Sequence, residues 1–268
     1  MLYNAVNGSL KTHGMTMDYI CFGKGESDLV IIPGLGDGLK TVKGSAIPLA
    51  MMYRCFAHKY RVYVLSRKNE LEEGCTTKDM AADCKTAMQA LGILQADVLG
   101  VSQGGMIAQY IAIDYPGMVK KLVLAVTLAR QNQTVQTTVG GWIKLARAGD
   151  YKGIFIDAAE KSYTEKRLKK FRPLYPLLSK IGRPKDFGRF IIQANACIGH
   201  NAYDELAQIK CPVLVIGVGD DKVVGANSSQ EIAERIEGSE LVIYEGHGHA
   251  VYEEAKDFNP RVVEFLST

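Results

Sequence analysis

Apolar and polar positions along the chain follow two rhythms. Short, nearly unbroken apolar runs stand at Leu29–Ile32, Arg61–Leu65, Ala96–Leu99, Lys121–Val126, Cys211–Gly217 and Leu241–Tyr244. Runs of this length predict strands covered on both faces. Longer stretches separate them. From Thr77 to Leu91 an apolar stripe of Met80, Ala81, Cys84, Met88 and Leu91 predicts an amphipathic helix, with Thr77 placed to cap it. Ile47–His58, Met106–Ile113 and Asn259–Leu266 read as further helices, and Tyr115-Pro116 stops the one before it. Strands alternating with helices predict an α/β fold with a doubly wound, mostly parallel sheet. Residues 2–23 alternate instead, broken at Asn7-Gly8 and His13-Gly14, and predict a β-ribbon at the sheet edge.

Between residues 128 and 200 the strand rhythm stops. Thr138–Ala148, Asp150–Tyr163 and Asp186–Ile198 read as helices, the last with Phe187, Phe190, Ile191, Ala194 and Ile198 on one face. The chain therefore divides into a first part of the core at 1–127, a helical cap or lid insertion at 128–200 and a second part of the core at 201–268. Trp142, Phe155 and Tyr175 fall in the insertion and are candidates to line a substrate pocket. Lys161–Lys185 holds nine lysines or arginines and one acid, Glu165. Such a run is a solvated face, or a rim that draws anionic substrates or a membrane surface.

The chain has 268 residues, enough for one large domain. A formal net charge of +3 gives no reason to expect nucleic acid as a partner. No apolar run approaches the roughly 18 residues of a membrane span, so no stable membrane insertion is expected. The first residues lack a basic and apolar leader, and the cysteines at 21, 55, 75, 84, 197 and 211 form no Cys-x-x-Cys pair. The expectation is reduced thiols, a cytoplasmic location and no metal.

The chemistry gathers at Gly100-Val101-Ser102-Gln103-Gly104, set between a predicted strand and a predicted helix. A serine on such a turn is held in a strained conformation, with small residues two before and two after it because strand and helix nearly touch. Serine needs a base to take its proton, and the base needs a group to orient it. Two later strand ends offer both. One is followed by Asp220-Asp221, the other by His247-Gly248-His249.

With these motifs in the order Ser, Asp, His, the sequence resembles the α/β-hydrolase superfamily over nearly its whole length. The resemblance selects Asp221, from Asp221-Lys222-Val223-Val224, and His249, from Gly248-His249-Ala250. It implies an oxyanion hole made by the backbone N–H groups of Leu35 and Gln103. The family usually has His-Gly where this chain has Pro33-Gly34, and Asp-x-Arg-Gly where this chain has Ser66-Arg67-Lys68-Asn69. Backbone donors survive the first departure. The implied activity is a serine hydrolase, a carboxylesterase in type, acting without a cofactor on a small-molecule acyl substrate: a carboxylester, lactone or thioester. The alternatives are a ligand receptor with slow turnover, a carbon–carbon bond hydrolase, or a non-hydrolytic enzyme of this fold such as a lyase.

Overall fold

The computed structural model describes residues 2–268. Eight strands form one sheet: β1 (Val6–Thr12), β2 (Met15–Phe22), β3 (Ser27–Ile32), β4 (Tyr60–Lys68), β5 (Ala96–Val101), β6 (Val119–Ala125), β7 (Val213–Val218) and β8 (Glu240–Tyr244), in the order β1-β2-β4-β3-β5-β6-β7-β8. β1 and β2 are an antiparallel hairpin at one edge, and β2 runs antiparallel to β4. All other neighbours are parallel. The edge ribbon read from the alternating N-terminal pattern is present. It turns at His13-Gly14 but runs straight through Asn7-Gly8, because the Tyr19 ring lies across the strand where a Cβ on Gly8 would stand.

Among the described residues, eleven α-helices connect or follow the strands: α1 (Ala46–Met52), α2 (Thr77–Ala90), α3 (Gln103–Asp114), α4 (Gln133–Arg147), α5 (Tyr151–Ser162), α6 (Glu165–Phe171), α7 (Tyr175–Leu178), α8 (Gly188–Ile198), α9 (Ser228–Arg235), α10 (Val251–Glu254) and α11 (Phe258–Ser267). Strand side chains alternate between two faces. Val30 and Ile32 join a core with α2, α3 and α9, while Leu29 and Ile31 join a core with α1 and α11. β5 and β7 are buried along their full length, as the unbroken apolar runs required.

Every strand read from sequence is present, α6, α7, α9 and α10 were not read as helices, and the other differences lie at the ends. The helix expected to span Ile47–His58 stops at Met52 and gives way to a 3-10 turn at Arg54–Phe56. Thr76, not Thr77, caps α2, its side chain accepting from the N–H of Asp79 in a reciprocal capping box. α4 begins at Gln133, well before Thr138, because the Asn132 side chain accepts from the N–H of Val135. Ser66 and Arg67 are the buried end of β4.

All the helices between β6 and β7, α4 to α8, come from the stretch where the strand rhythm stopped. Trp142, Ile143 and Ala146 of α4, Ile154 of α5 and Phe190 and Ala194 of α8 pack into a third apolar cluster. Leu35, Val223 and Val224 complete it from the loops after β3 and β7. This helical layer therefore lies over the C-terminal ends of the parallel strands, where an open α/β sheet collects its loops.

Candidate active site

Ser102 stands between the end of β5 and the start of α3 with φ 56° and ψ −121°. A non-glycine residue at this φ stores on the order of 1–3 kcal/mol and persists only where its surroundings hold it. Its N–H donates to Ala125 O at 2.9 Å, and its carbonyl accepts from the Thr127 hydroxyl at 2.8 Å. The two glycines of the motif are required by contact. A Cβ on Gly104 would stand 1.9 Å from Ile32 O, and one on Gly100 would stand 2.5 Å from Gly104 O.

His249, in the loop after β8, places Nε2 at 3.0 Å from Ser102 Oγ. Its Nδ1 lies 2.8 Å from Asp221 Oδ2, in the loop after β7. Asp221 and His249 are both buried. Burial pushes the Asp221 carboxyl up, but His249 and the N–H groups of Val224 and Val223 outweigh it and hold the group below the usual carboxylate range. An ionised carboxylate only accepts, so the imidazole proton sits on Nδ1 and Nε2 accepts from the serine hydroxyl.

The two adjacent aspartates separate cleanly. Asp221 Oδ1 accepts from the N–H groups of Val223 at 2.8 Å and Val224 at 2.9 Å, so it ties down its own turn as well as facing His249. Asp220 accepts from no backbone N–H among the described residues. Its side chain is 80% exposed and its ion-pair partner is Lys222, 3.7 Å away. His247 likewise turns away, its Nδ1 near Glu245 O.

The N–H groups of Leu35 and Gln103 donate to no acceptor among the described residues. A buried arginine accounts for how that loop is braced. Arg67 Nη2 donates to Pro33 O at 2.5 Å, Gly34 O at 3.0 Å and Gln103 Oε1 at 2.7 Å. The carbonyls before Leu35 are thus turned back toward β4, while Gln103 Nε2 donates to Gln193 O on α8 at 2.7 Å. Arg189 on α8 pairs with buried Asp37 at 2.6 Å, and Asp37 also accepts from the N–H of Arg67 at 3.1 Å. This network ties the loop that carries Pro33-Gly34 to β4 and α8. Its one trace in the sequence is the arginine retained from the family's Asp-x-Arg-Gly.

Ser102 and His249 open on a cavity of ≈ 350 Å³. Leu35, Leu39, Trp142, Ile154, Phe190 and Tyr252 give it a mainly apolar wall, and among the described residues no lysine or arginine lines it. Of the three aromatics proposed from sequence, Trp142 lines the cavity, with its indole N–H donating to Asp157 at 2.7 Å. Phe155 and Tyr175 do not. Ile154, Ala158 and Ser162 form the α5 face that turns inward, four residues apart, and Phe155 sits one position round the helix. There it packs edge-on against Tyr175, whose hydroxyl donates to Glu160. Tyr252 was missed, although it follows His249 by three residues, one helical turn.

The family model described as alpha/beta hydrolase fold matches residues 29–152, and one described as TAP-like protein matches residues 191–268. A putative non-heme bromoperoxidase of Mycobacterium tuberculosis is 26% identical over 255 residues, covering 90% of this chain and 94% of its own. A putative carbamate hydrolase of Rhizobium rhizogenes is 25% identical over 262 residues, covering 89% and 92%. Among solved structures, the enol-lactonase from Burkholderia xenovorans superposes with a TM-score of 0.83 at 18% identity, covering 97% of this chain and 100% of that one.

Proposed function

The chain belongs to the α/β-hydrolase superfamily, and from that premise we propose that it is a serine hydrolase cleaving a small, neutral, ester-like bond, a carboxylester, lactone or thioester. The observation that carries the proposal is the unbroken line from Asp221 through His249 to Ser102, opening on an apolar cavity beside two free backbone N–H groups. Ser102 Oγ attacks the carbonyl carbon while its proton passes to His249 Nε2. The carbonyl oxygen becomes an oxyanion and accepts from the N–H groups of Leu35 and Gln103. The imidazolium, stabilised by Asp221, returns the proton to the leaving alcohol or thiol as the acyl–Ser102 ester forms. Water then attacks that ester with His249 as base, releasing the acid and restoring the serine. Residues 128–200 act as the cap, with Trp142, Ile154 and Phe190 contacting the acyl group.

The absence of any cationic side chain from the cavity wall, among the described residues, favours a neutral acyl group over a carboxylate-bearing one, and so an ester over the carbon–carbon bond of a dienoic acid. Turnover of a p-nitrophenyl ester series, with a fluorophosphonate labelling Ser102 alone, is the test. Multiple turnovers that vanish in Ser102→Ala support the hydrolase. A single burst that then stalls in the native chain supports a ligand receptor.

A further inference from the structure

A second surface has a composition of its own. α6 and α7 are joined by a 3-10 turn at Arg172–Leu174, and the chain is irregular from Ser179 to Phe187. Tyr175 and Ser179, four residues apart, face inward and are buried. The Tyr151 hydroxyl donates to Ile181 O at 2.7 Å and anchors the stretch to α5. The opposite face has no cover. Leu174, Leu177 and Ile181 are 47%, 63% and 61% exposed, all within residues 174–181. Single exposed leucines are ordinary, whereas adjacent ones form a patch.

The charges around this patch are one-sided. Arg172 is spent on Glu160 and Glu165, Arg167 on Glu253 and Lys161 on Asp157. Lys166, Lys169, Lys170, Lys180, Arg183 and Lys185 are exposed and enter no ion pair among the described residues. Three exposed aliphatic side chains and six cations without an ion-pair partner, all within residues 166–185, match the boundary between anionic headgroups and acyl chains. A second copy of the chain fits poorly, because a two-fold contact would set those cations against their own equivalents. We propose that this face docks the protein on an anionic lipid surface, with Leu174, Leu177 and Ile181 entering the interface and the lysines contacting headgroups.

The docking stands apart from the hydrolase reading, since binding is measured without substrate. The full chain is sedimented with vesicles of phosphatidylcholine alone and of phosphatidylcholine mixed with phosphatidylserine. Binding is expected to the mixed vesicles only, and to weaken as salt rises. Lys180→Ala and Lys185→Ala should each weaken it about fivefold. Leu177→Ser combined with Ile181→Ser should weaken it about tenfold or more, with an unchanged thermal midpoint. Three results overturn the proposal. One is equal or absent binding to the two vesicle types. Another is binding that the serine double variant leaves intact while polyglutamate competes it away, which makes the patch a site for acidic macromolecules. The last is a dimer on size exclusion that the double variant converts to monomer, which makes it a contact between copies.

Discussion

Two imidazoles are buried in this chain, and each sits between a hydroxyl and a side-chain oxygen. His249 lies between Ser102 Oγ and Asp221. His200 lies between Thr77 Oγ1, 2.8 Å from Nδ1, and Gln109 Oε1, 3.2 Å from Nε2. The arrays share their partner types with the ring nitrogens exchanged: the hydroxyl meets Nε2 of His249 but Nδ1 of His200. They differ in charge and in access. Gln109 Nε2 donates to Leu128 O, which fixes its oxygen toward His200 and makes the acceptor a neutral amide. Nothing there offsets desolvation, and burial lowers the His200 pKa to about 3. At Asp221 a full negative charge meets the imidazole, and the hydroxyl on the far side opens into a cavity. His200 lines no part of that cavity and holds α2 and α3 together instead. A hydroxyl beside an imidazole is therefore not a base site. It becomes one when a carboxylate can stabilise the imidazolium and a substrate can reach the oxygen.

The strongest test removes each hydroxyl in turn. Ser102→Ala should cut ester turnover by about 10⁶ and leave the fold intact, whereas Thr77→Ala should leave turnover within about twofold and cost roughly 1–3 kcal/mol of stability, because a buried ring nitrogen loses its partner. Equal losses of turnover would break the contrast. Next is Asp221→Asn, expected to lower turnover by about 10⁴. Its amide oxygen can keep the N–H groups of Val223 and Val224, which leaves the NH₂ facing His249. That pairing moves the imidazole proton to Nε2, and the ring can no longer accept from Ser102. Circular dichroism should show the variant folded.

The depressed pKa of His200 makes a prediction about acid stability. The group is neutral when folded, with a pKa of about 3, and binds a proton near the reference value of about 6.5 when unfolded. Its contribution is complete above about 6.5 and is lost as the pH falls toward 3, at up to about 1.4 kcal/mol per pH unit. His200→Gln should flatten that part of the stability curve in urea titrations between those pH values. An unchanged slope would mean that other groups govern the acid limb.

The sequence made the sheet and the Ser102 turn legible because both rest on local signals: unbroken apolar runs in one case, glycines forced by contact in the other. The helical layer was legible as helices but not in its inward faces. Phe155 and Ile154 are neighbours in sequence, and periodicity alone does not say which of them points at the cavity. The Arg67, Gln103, Asp37 and Arg189 network left a single trace, Arg67, and was not legible as a network. Arg67 is joined to residues 36 and 122 positions away, and a polar residue in such a run reads as surface until its partners are seen. The cap of α2 was misread by one position, Thr76 for Thr77, and the start of α4 was read at Thr138 instead of Gln133, because hydroxyl and amide side chains cap whenever the backbone presents an N–H to them.

The smallest expected effect isolates why the carboxylate matters. Asp220 and Asp221 are adjacent, and both bring negative charge near His249. If a general negative field sustained the imidazolium, removing either charge would be felt. If direct contact does, only Asp221 counts, because its oxygens lie 2.8 and 3.1 Å from Nδ1 in a buried site. Asp220 is exposed, and water and salt screen its charge. It holds no backbone N–H, so its loss also leaves the turn intact. Asp220→Asn should therefore change turnover by less than about twofold and stability by no more than about 0.5 kcal/mol. Measured at low and high salt, it should behave alike. A fall in turnover at low salt that high salt conceals would show that the field of the loop contributes, and the division between His249 and His200 would then rest on surrounding charge as well as on the one carboxylate in contact.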